Sequence, residues 1–230
     1  MSADAQRWED RYSQGDPASL PWNAGGPDPD LVRLVTTGTI PVGQALDIGT
    51  GPGHDAVFLI QQGFNVIGID ISPSAVKLAR ENASNAGLFG FFQEGDLRHI
   101  PVENRFIDFA YDRGCFHVLD PEDRPVAVSE VHRVLRPAGL YLVRVFSDKE
   151  PPSPSPLPGD HQSDASLDRW PSLEREQRLL GRVQGEGPHR FTRKELEDLF
   201  SSRFRILQFW EGVFEGPKRP KSYSLLMEKR

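Results

Sequence analysis

The sequence contains almost no cysteine. Cys115 is the one cysteine among its 230 residues, so the chain can form neither an internal disulfide nor a cysteine-based metal cluster. The six histidines show no spacing typical of metal ligands. We therefore expect a site without metal, in which any chemistry depends on other groups.

Long apolar runs and a surplus of positive charge are also missing. No stretch approaches the roughly 20 apolar residues of a membrane-spanning helix, and the N-terminal sequence lacks the apolar centre of a signal peptide. We therefore expect a cytoplasmic protein without a membrane partner. The net charge of −6 argues against a nucleic-acid partner, because phosphate binding favours a basic surface.

What the chain does have, between residues 44 and 146, is a regular alternation of short apolar runs and amphipathic stretches. The apolar runs predict strands over 44–49, 65–71, 91–96, 106–112 and 140–146. The amphipathic stretches predict helices over 54–63 and 72–87, and a third that starts at Asp120–Asp123 and ends at 136–139. This alternation predicts an α/β fold in which a parallel, doubly wound sheet carries helices on both faces.

The alternation breaks after residue 146. Residues 147–190 begin with a proline-rich stretch that cannot form a core, and they include a candidate helix over 166–182. Regular structure resumes with a helix over 192–202, which opens with a capping box. Two apolar segments, 204–214 and 222–229, then predict an antiparallel strand pair. The expected sheet therefore has seven strands.

We expect one domain over residues 1–230. Residues 1–38 would form an N-terminal arm, and residues 147–190 would form an inserted lid or substrate-binding segment. Both are expected to close a site at the carboxyl edge of the sheet, where the fifth strand leads into the insertion.

A glycine-rich loop follows the first predicted strand. Residues 46–54 read LDIGTGPGH, with Asp47 ahead of Gly49, Gly51 and Gly53. Dinucleotide sites use the pattern G-x-G-x-x-G, whose third glycine would fall here on His54. An acid just before the loop suits a pyrophosphate poorly, but it can orient backbone groups around an amino-acid ammonium. The spacing favours S-adenosylmethionine as the ligand.

Two further acids follow the next two predicted strands. Asp70 ends the second strand, where a carboxylate can accept both ribose hydroxyls, although NAD sites use the same device. Asp96 ends the third strand, where it could accept from an adenine amino group, with Leu97 against the ring. Since ligands of open α/β sheets bind outside the carboxyl ends of strands, these acids and the glycine loop share one edge.

Together these residues resemble the class I S-adenosylmethionine-dependent methyltransferases, which have a Rossmann-like fold, over about residues 28–229. The segment YDRGCFHVLDPEDR (111–124) and the tryptophan-bearing arm (8–31) are similar to the thiopurine S-methyltransferase group and its thiol, halide and tellurite relatives. The segment GPHRFTRKELEDLF (187–200) resembles the one that these enzymes place before their last helix. Residues 150–182 match no segment of the family.

The resemblance implies S-adenosylmethionine as cofactor, S-adenosylhomocysteine as its product and a small-molecule methyl acceptor. The expected cofactor-binding residues are Asp47, Gly49, Thr50, Gly51, Gly53, Asp70, Ile71, Asp96, Leu97, Asp112, Trp8, Tyr12 and Trp22. For Trp8, Tyr12 and Trp22 the alternative is simple packing of the arm on the core. Arg113 would touch the amino-acid end of the cofactor or steer an anionic acceptor, unless it forms a surface ion pair with Asp112 or Asp123. His117 is a candidate general base or a packing residue, and Cys115 is expected to line the pocket rather than to act as a nucleophile.

The leading hypothesis is methyl transfer to a thiol or another soft nucleophile. A thiol with a pKa near ~8.5 already supplies a few per cent thiolate at neutral pH, so it needs little help from a base. The alternatives are an O- or N-methyltransferase of a natural-product pathway with His117 as base, a nicotinamide-dependent oxidoreductase, and a non-catalytic protein that only binds the cofactor.

Overall fold

The computed structural model describes residues 2–14, 16, 19–149, 188–215 and 219–230. Their elements are built around one seven-stranded sheet. The strands are β1 (Gln44–Ile48), β2 (Asn65–Asp70), β3 (Phe91–Glu94), β4 (Ile107–Arg113), β5 (Leu135–Phe146), β6 (Phe204–Val213) and β7 (Lys221–Lys229). The helices are α1 (Ala3–Gln14), α2 (Pro29–Thr36), α3 (His54–Gln61), α4 (Pro73–Asn85), α5 (Arg124–Val134) and α6 (Arg193–Phe200). In these ranges no helix combines the length and the apolar character needed to cross a membrane.

The strand order in the sheet is β3-β2-β1-β4-β5-β7-β6. Strands β1 to β5 pair in parallel, and β7 inserts antiparallel between β5 and β6. The predicted α/β fold, with a mostly parallel sheet and an antiparallel C-terminal pair, is therefore confirmed. The order reverses direction at β1 and β4, so the loops after these two strands face each other at the carboxyl edge.

Helices cover both faces of the sheet. One apolar core lies under α5 and α6, where Ala127, Val131 and Phe200 are fully or almost fully buried. The other lies under α2, α3 and α4, where Leu34 and Leu59 are fully buried. Both faces of the central strands are therefore shielded from solvent, which explains their nearly continuous apolar sequences.

Several helix ends follow the sequence signals. The Ser72 hydroxyl accepts from the Ala75 N–H at 3.1 Å at the start of α4, and the Thr192 hydroxyl accepts from the Glu195 N–H at 3.1 Å in the capping box of α6. These caps satisfy backbone donors that have no partner within the helix. Gly63 follows α3 with a φ of 90°, a conformation that glycine adopts without strain.

Other boundaries were predicted wrongly. The sequence RPAG (136–139) was expected to end the third central helix, but α5 ends at Val134 and β5 already begins at Leu135. Leu135 pairs with Ile107 of β4, and Lys229 of β7 donates to the carbonyl oxygens of His132 and Leu135 at 2.6 and 2.7 Å. Contacts with distant strands thus end the helix before its local stop signal.

The third strand is also shorter than expected, and the insertion is only partly described. Strand β3 ends at Glu94 rather than at residue 96, and Asp96 instead forms an isolated bridge with His99. The candidate helix over 166–182 and most of the expected lid lie outside the described residues.

Candidate functional site

The three glycines of the loop after β1 all have positive φ angles, which are 67°, 49° and 80° for Gly49, Gly51 and Gly53. A Cβ atom at Gly49 would lie 2.9 Å from Cβ of Cys115, and one at Gly51 would lie 2.8 Å from the Tyr12 hydroxyl oxygen. One at Gly53 would lie 3.0 Å from Cβ of Ala79 in α4. The loop is therefore restricted to glycine by its backbone and by its neighbours.

Asp47 and Thr50 fix the start of this loop. Both residues are buried, and the Thr50 hydroxyl donates to the Asp47 carboxylate at 2.6 Å. Burial, followed by the nearby charge of Asp55, raises the pKa of Asp47 to about 7. The acid ahead of the loop is thus buried and hydrogen-bonded to the loop residue Thr50.

Asp70 connects the end of β2 to the same loop. Its carboxylate accepts from the Gly51 N–H and the Ser72 N–H, each at 3.0 Å. Burial raises the pKa of Asp70 to about 6, although both backbone hydrogen bonds act to lower it. Ile71, which follows it, is partly buried. The predicted ribose-binding acid and the glycine loop are therefore in direct contact.

Asp96 is engaged by an arginine that the sequence reasoning missed. Arg98 grips both carboxylate oxygens of Asp96, with its Nη2 2.6 Å from Oδ2, and it also contacts Asp123 at 2.9 Å and Asp4 at 3.3 Å. Although burial acts to raise it, these hydrogen bonds hold the pKa of Asp96 below its usual value. Leu97 is buried in the core. The close spacing of Asp96 and Arg98 is the signal that could have indicated this pair.

Asp112 shapes the turn after β4. It is fully buried, and one of its oxygens accepts from the N–H groups of Cys115 and Phe116 at 2.9 and 3.2 Å. Burial raises the pKa of Asp112 to about 7. The structure thus gives this side chain a role in holding the turn that carries Arg113 and His117.

Arg113 forms a buried ion pair, but with neither of the acids considered from the sequence. Its Nε lies 3.2 Å from the carboxylate of Asp55, in the first turn of α3. The other oxygen of Asp55 accepts from the Asp28 N–H at 2.7 Å, and the Asp28 carboxylate pairs with Arg144 of β5. A continuous chain of buried charges thus joins the arm, the helix after the glycine loop and strands β4 and β5.

His117 lies in a short 3₁₀ turn, Phe116–Val118, and is buried. Its Nδ1 accepts from the Phe146 N–H at 3.2 Å, so the ring proton is carried by Nε2. Burial, together with the charges of Arg190 and His189, lowers the pKa of His117 to about 3. At neutral pH His117 is thus a neutral ring that offers a hydrogen-bond donor.

Helix α1 of the N-terminal arm lies against the glycine loop. The Tyr12 hydroxyl contacts Gly51 and accepts from the indole N–H of Trp22 at 3.0 Å. Trp8 packs edge-on against Trp22, with ring centroids 5.3 Å apart. The three aromatic residues predicted for the arm are therefore brought together, and Tyr12 is brought to the loop.

Glu9 attaches α1 to α4, and the sequence reasoning missed it. Its carboxylate accepts from the Ser72 hydroxyl at 2.7 Å and from the Ser74 hydroxyl and N–H at 2.6 and 3.0 Å. A carboxylate at a helix N-terminus is stabilised by unpaired N–H groups and by the helix dipole. Although partial burial acts to raise it, these hydrogen bonds hold the pKa of Glu9 below its usual value. No local pattern signals this contact.

The comparisons with known proteins agree with this geometry. Residues 45–139 match the family described as a methyltransferase domain. A probable thiol methyltransferase 2 of Arabidopsis thaliana is 32% identical over 142 residues, which are 60% of this chain and 61% of the relative. Thiocyanate methyltransferase 1 of the same plant is 35% identical over 129 residues, covering 55% and 56%. The chain thus spans about three fifths of the length of the curated relatives it matches.

Solved structures share the fold over most of the chain. One, from work on the conversion of a disulfide bond into a thioacetal group during echinomycin biosynthesis, has a TM-score of 0.77 at 22% identity and covers 98% of this chain and 92% of that one. Another is the 1,6-didemethyltoxoflavin-N1-methyltransferase of Burkholderia thailandensis with bound S-adenosylhomocysteine. Its TM-score is 0.65 at 19% identity, with 100% and 91% coverage. At these identities the likeness shows the fold.

The arrangement fits a cofactor with an amino acid, a ribose and a cationic sulfur. The loop has three glycines without side chains, and the acid Asp70 lies directly beside it. The arm also brings Tyr12 to this loop, and Trp22 donates to the Tyr12 hydroxyl. These features together match S-adenosylmethionine better than they match a pyrophosphate.

Proposed function

Because residues 45–139 match the family described as a methyltransferase domain, we propose that this chain transfers a methyl group from S-adenosylmethionine to a small molecule with a thiol or a similar soft nucleophile. The observation that carries the proposal is the contact of three separate elements at one point. Gly51 of the loop, Asp70 of β2 and Tyr12 of the arm meet there.

We assign the expected cofactor residues as follows. Asp70 would accept from the ribose, and the loop from Gly49 to Gly53 would lie against the amino-acid part. Arg113, held by Asp55, would attract the carboxylate of that part. When bound, the cofactor supplies a methyl group on a positively charged sulfur. The new bond joins this carbon to the acceptor sulfur, the old carbon–sulfur bond breaks, and the thiol proton passes to solvent.

The protein's own contribution would be alignment. Holding two reactants in line can lower a barrier by about 7–11 kcal/mol. Tyr12 lies against the loop and is held there by Trp22, and a site closed by the arm would keep water away from the reacting sulfur.

A soft acceptor is supported by the chemistry of the nearby side chains and by the names of the relatives. His117, in the turn after β4, is the candidate general base. Its Nδ1 already accepts from the backbone N–H of Phe146, and its Nε2 carries the proton. It therefore lacks a free lone pair with which to remove a proton at neutral pH. A thiol needs no such base, whereas a phenol or an alcohol does. The relatives are named as thiol and thiocyanate methyltransferases.

The test is a panel of acceptors that differ in one atom. Benzenethiol, phenol and aniline are incubated with S-adenosylmethionine at pH 6 to 9, and the methylated product is measured by mass spectrometry for the wild type and for His117→Asn. We expect turnover of the thiol alone, with a pH profile that the substitution leaves unchanged. Turnover of phenol or aniline that His117→Asn abolishes would instead assign an O- or N-methyltransferase with His117 as base.

A further inference from the structure

The segment before α6 carries an arginine that none of the proposed steps uses. The Arg190 guanidinium lies over the ring of Phe146 at 5.5 Å from its centroid, and its Nη1 donates to the Ser147 carbonyl oxygen at 3.2 Å. Among the described residues no carboxylate pairs with Arg190. A partly buried arginine with most of its donors unused can recognise an anion.

The other cations at this end of β5 are already paired. Arg144 is held by Asp28, and Lys149 forms an ion pair with Glu211. Within the described ranges Arg190 is therefore the cation next to Phe146 that has no acidic partner. Its charge can be neutralised by a ligand without breaking an existing ion pair.

A second donor and an aromatic wall lie beside this arginine. His117 stacks on Phe146 with ring centroids 4.2 Å apart, and Phe214 packs against both rings at 5.9 and 5.0 Å. The Nε2–H of His117 has no acceptor among the described residues. The Nε2 atom of His117 lies near Gly114, because a Cβ atom added to this glycine would be 3.5 Å from it. The rings of Phe146 and Phe214 beside the His117 donor would strengthen its attraction for a charged group, because they exclude water.

This cluster lies next to the glycine loop. His117 follows β4 and Phe146 ends β5, and β4 is the direct neighbour of β1 in the sheet. Cys115, two residues before His117, contacts Gly49 of the loop. A molecule bound beside His117 and Phe146 would therefore be separated from the glycine loop only by the turn that carries Cys115.

We propose that Arg190 binds a carboxylate on the methyl acceptor, with the Nε2–H of His117 as a second donor and the rings of Phe146 and Phe214 as the wall. The acceptor is then a carboxylate-bearing thiol. This inference rests on the proposed function, because it names the substrate class of the same site.

The test compares two thiols of the same type, 3-mercaptobenzoate and benzenethiol. We measure the ratio of their kcat/KM values for the wild type, for Arg190→Gln and for Arg190→Lys. We expect wild-type preference for the acid, a fall of this preference by about tenfold or more in Arg190→Gln, as loss of a charge-assisted hydrogen bond implies, and partial recovery in Arg190→Lys. The matched control is Arg193→Gln, since Arg193 also lies on a ring, that of Phe209, but pairs with Glu197.

An unchanged ratio in Arg190→Gln, or an equal fall in Arg193→Gln, would overturn the proposal. A binding experiment separates it from the proposed function. Benzoate is titrated calorimetrically into the protein saturated with S-adenosylhomocysteine, with folding of each variant checked by circular dichroism. If no thiol is methylated but benzoate binds the wild type and not Arg190→Gln, the anion site stands and the thiol reaction fails. Equal binding to both proteins, or to neither, overturns the anion site.

Discussion

At the scale of single residues, Gly51 is the position where backbone strain and contact coincide. Its φ is 49°, and an added Cβ would meet the Tyr12 hydroxyl at 2.8 Å. Gly38 has a φ of 72° with nothing within 4 Å, so it provides a matched control for strain alone. Both substitutions to alanine should cost about 1–2 kcal/mol of stability.

We predict that Gly51→Ala also displaces Tyr12 from the loop and weakens S-adenosylhomocysteine binding at least tenfold, which is a loss of about 1.4 kcal/mol. Gly38→Ala should leave this affinity unchanged. Calorimetric titration of the two folded variants measures the difference. Equal affinities would mean that the loop around Gly51 does not contact the ligand.

Asp112 provides a prediction for pH dependence. Burial raises its pKa to about 7, whereas a carboxyl in an unfolded chain has a pKa of about 3.9. Between these values the unfolded state is ionised while the folded state keeps the proton. The free energy of unfolding therefore falls as pH rises from about 4 to about 7.

Asparagine at this position does not titrate, but its carbonyl can still accept from the N–H groups of Cys115 and Phe116. We predict that the wild type loses stability relative to Asp112→Asn as pH rises through this window, and that the difference is constant above it. Each pKa unit corresponds to about 1.36 kcal/mol. Urea unfolding at intervals between pH 4 and 8 measures the difference, and a constant gap would show that Asp112 is ionised throughout.

At the scale of elements, helix α1 is attached to α4 through Glu9. The adjacent Asp10 faces solvent, and among the described residues its partners are Gln6 and Gln14 of the same helix, which donate to it. Glu9→Gln removes the charge from the α4 N-terminus, which is typically worth about 1 kcal/mol.

We therefore predict that Glu9→Gln raises the fraction of molecules in which α1 is detached from α4 by roughly fivefold, as a free energy of about 1 kcal/mol implies. Trypsin should cleave faster at Arg7 and Arg11, and S-adenosylhomocysteine should bind more weakly. Asp10→Asn should behave as the wild type in both assays. If the two variants are indistinguishable, the contact with Ser72 and Ser74 does not hold the arm in place.

Elements whose ends are determined locally could be predicted from the sequence. Ser72 with Pro73 and Thr192 with Glu195 satisfy the first N–H groups of α4 and α6 within a few residues. The end of α5 could not be predicted, because Lys229 and Ile107, far away in the chain, determine where it stops. Local sequence signals therefore predicted the types of the elements and the starts of α4 and α6, but not the end of α5.

At the scale of the whole molecule, the site is assembled from contacts that are distant in sequence. Glu9 meets Ser74 across 65 positions, Asp28 meets Asp55 across 27, and the Arg144–Asp28 pair spans 116. The residues predicted for the site were those with a motif, such as Asp70. Glu9, Asp28 and Asp55 carry no motif, since their roles arise only from how the elements pack.

We propose that the loop and the acid beside it bind S-adenosylmethionine so that its methyl group reaches a thiol. The most direct measurement follows the methyl carbon itself, by NMR, in a mixture of the protein, S-adenosylmethionine labelled with ¹³C at the methyl group, and benzenethiol. We predict that the label moves from the sulfonium to a thioether in the wild type, and that Gly51→Ala greatly slows the transfer while Gly38→Ala does not. A label that stays on the sulfonium in the presence of the wild-type protein would show that the chain does not transfer the methyl group to this thiol.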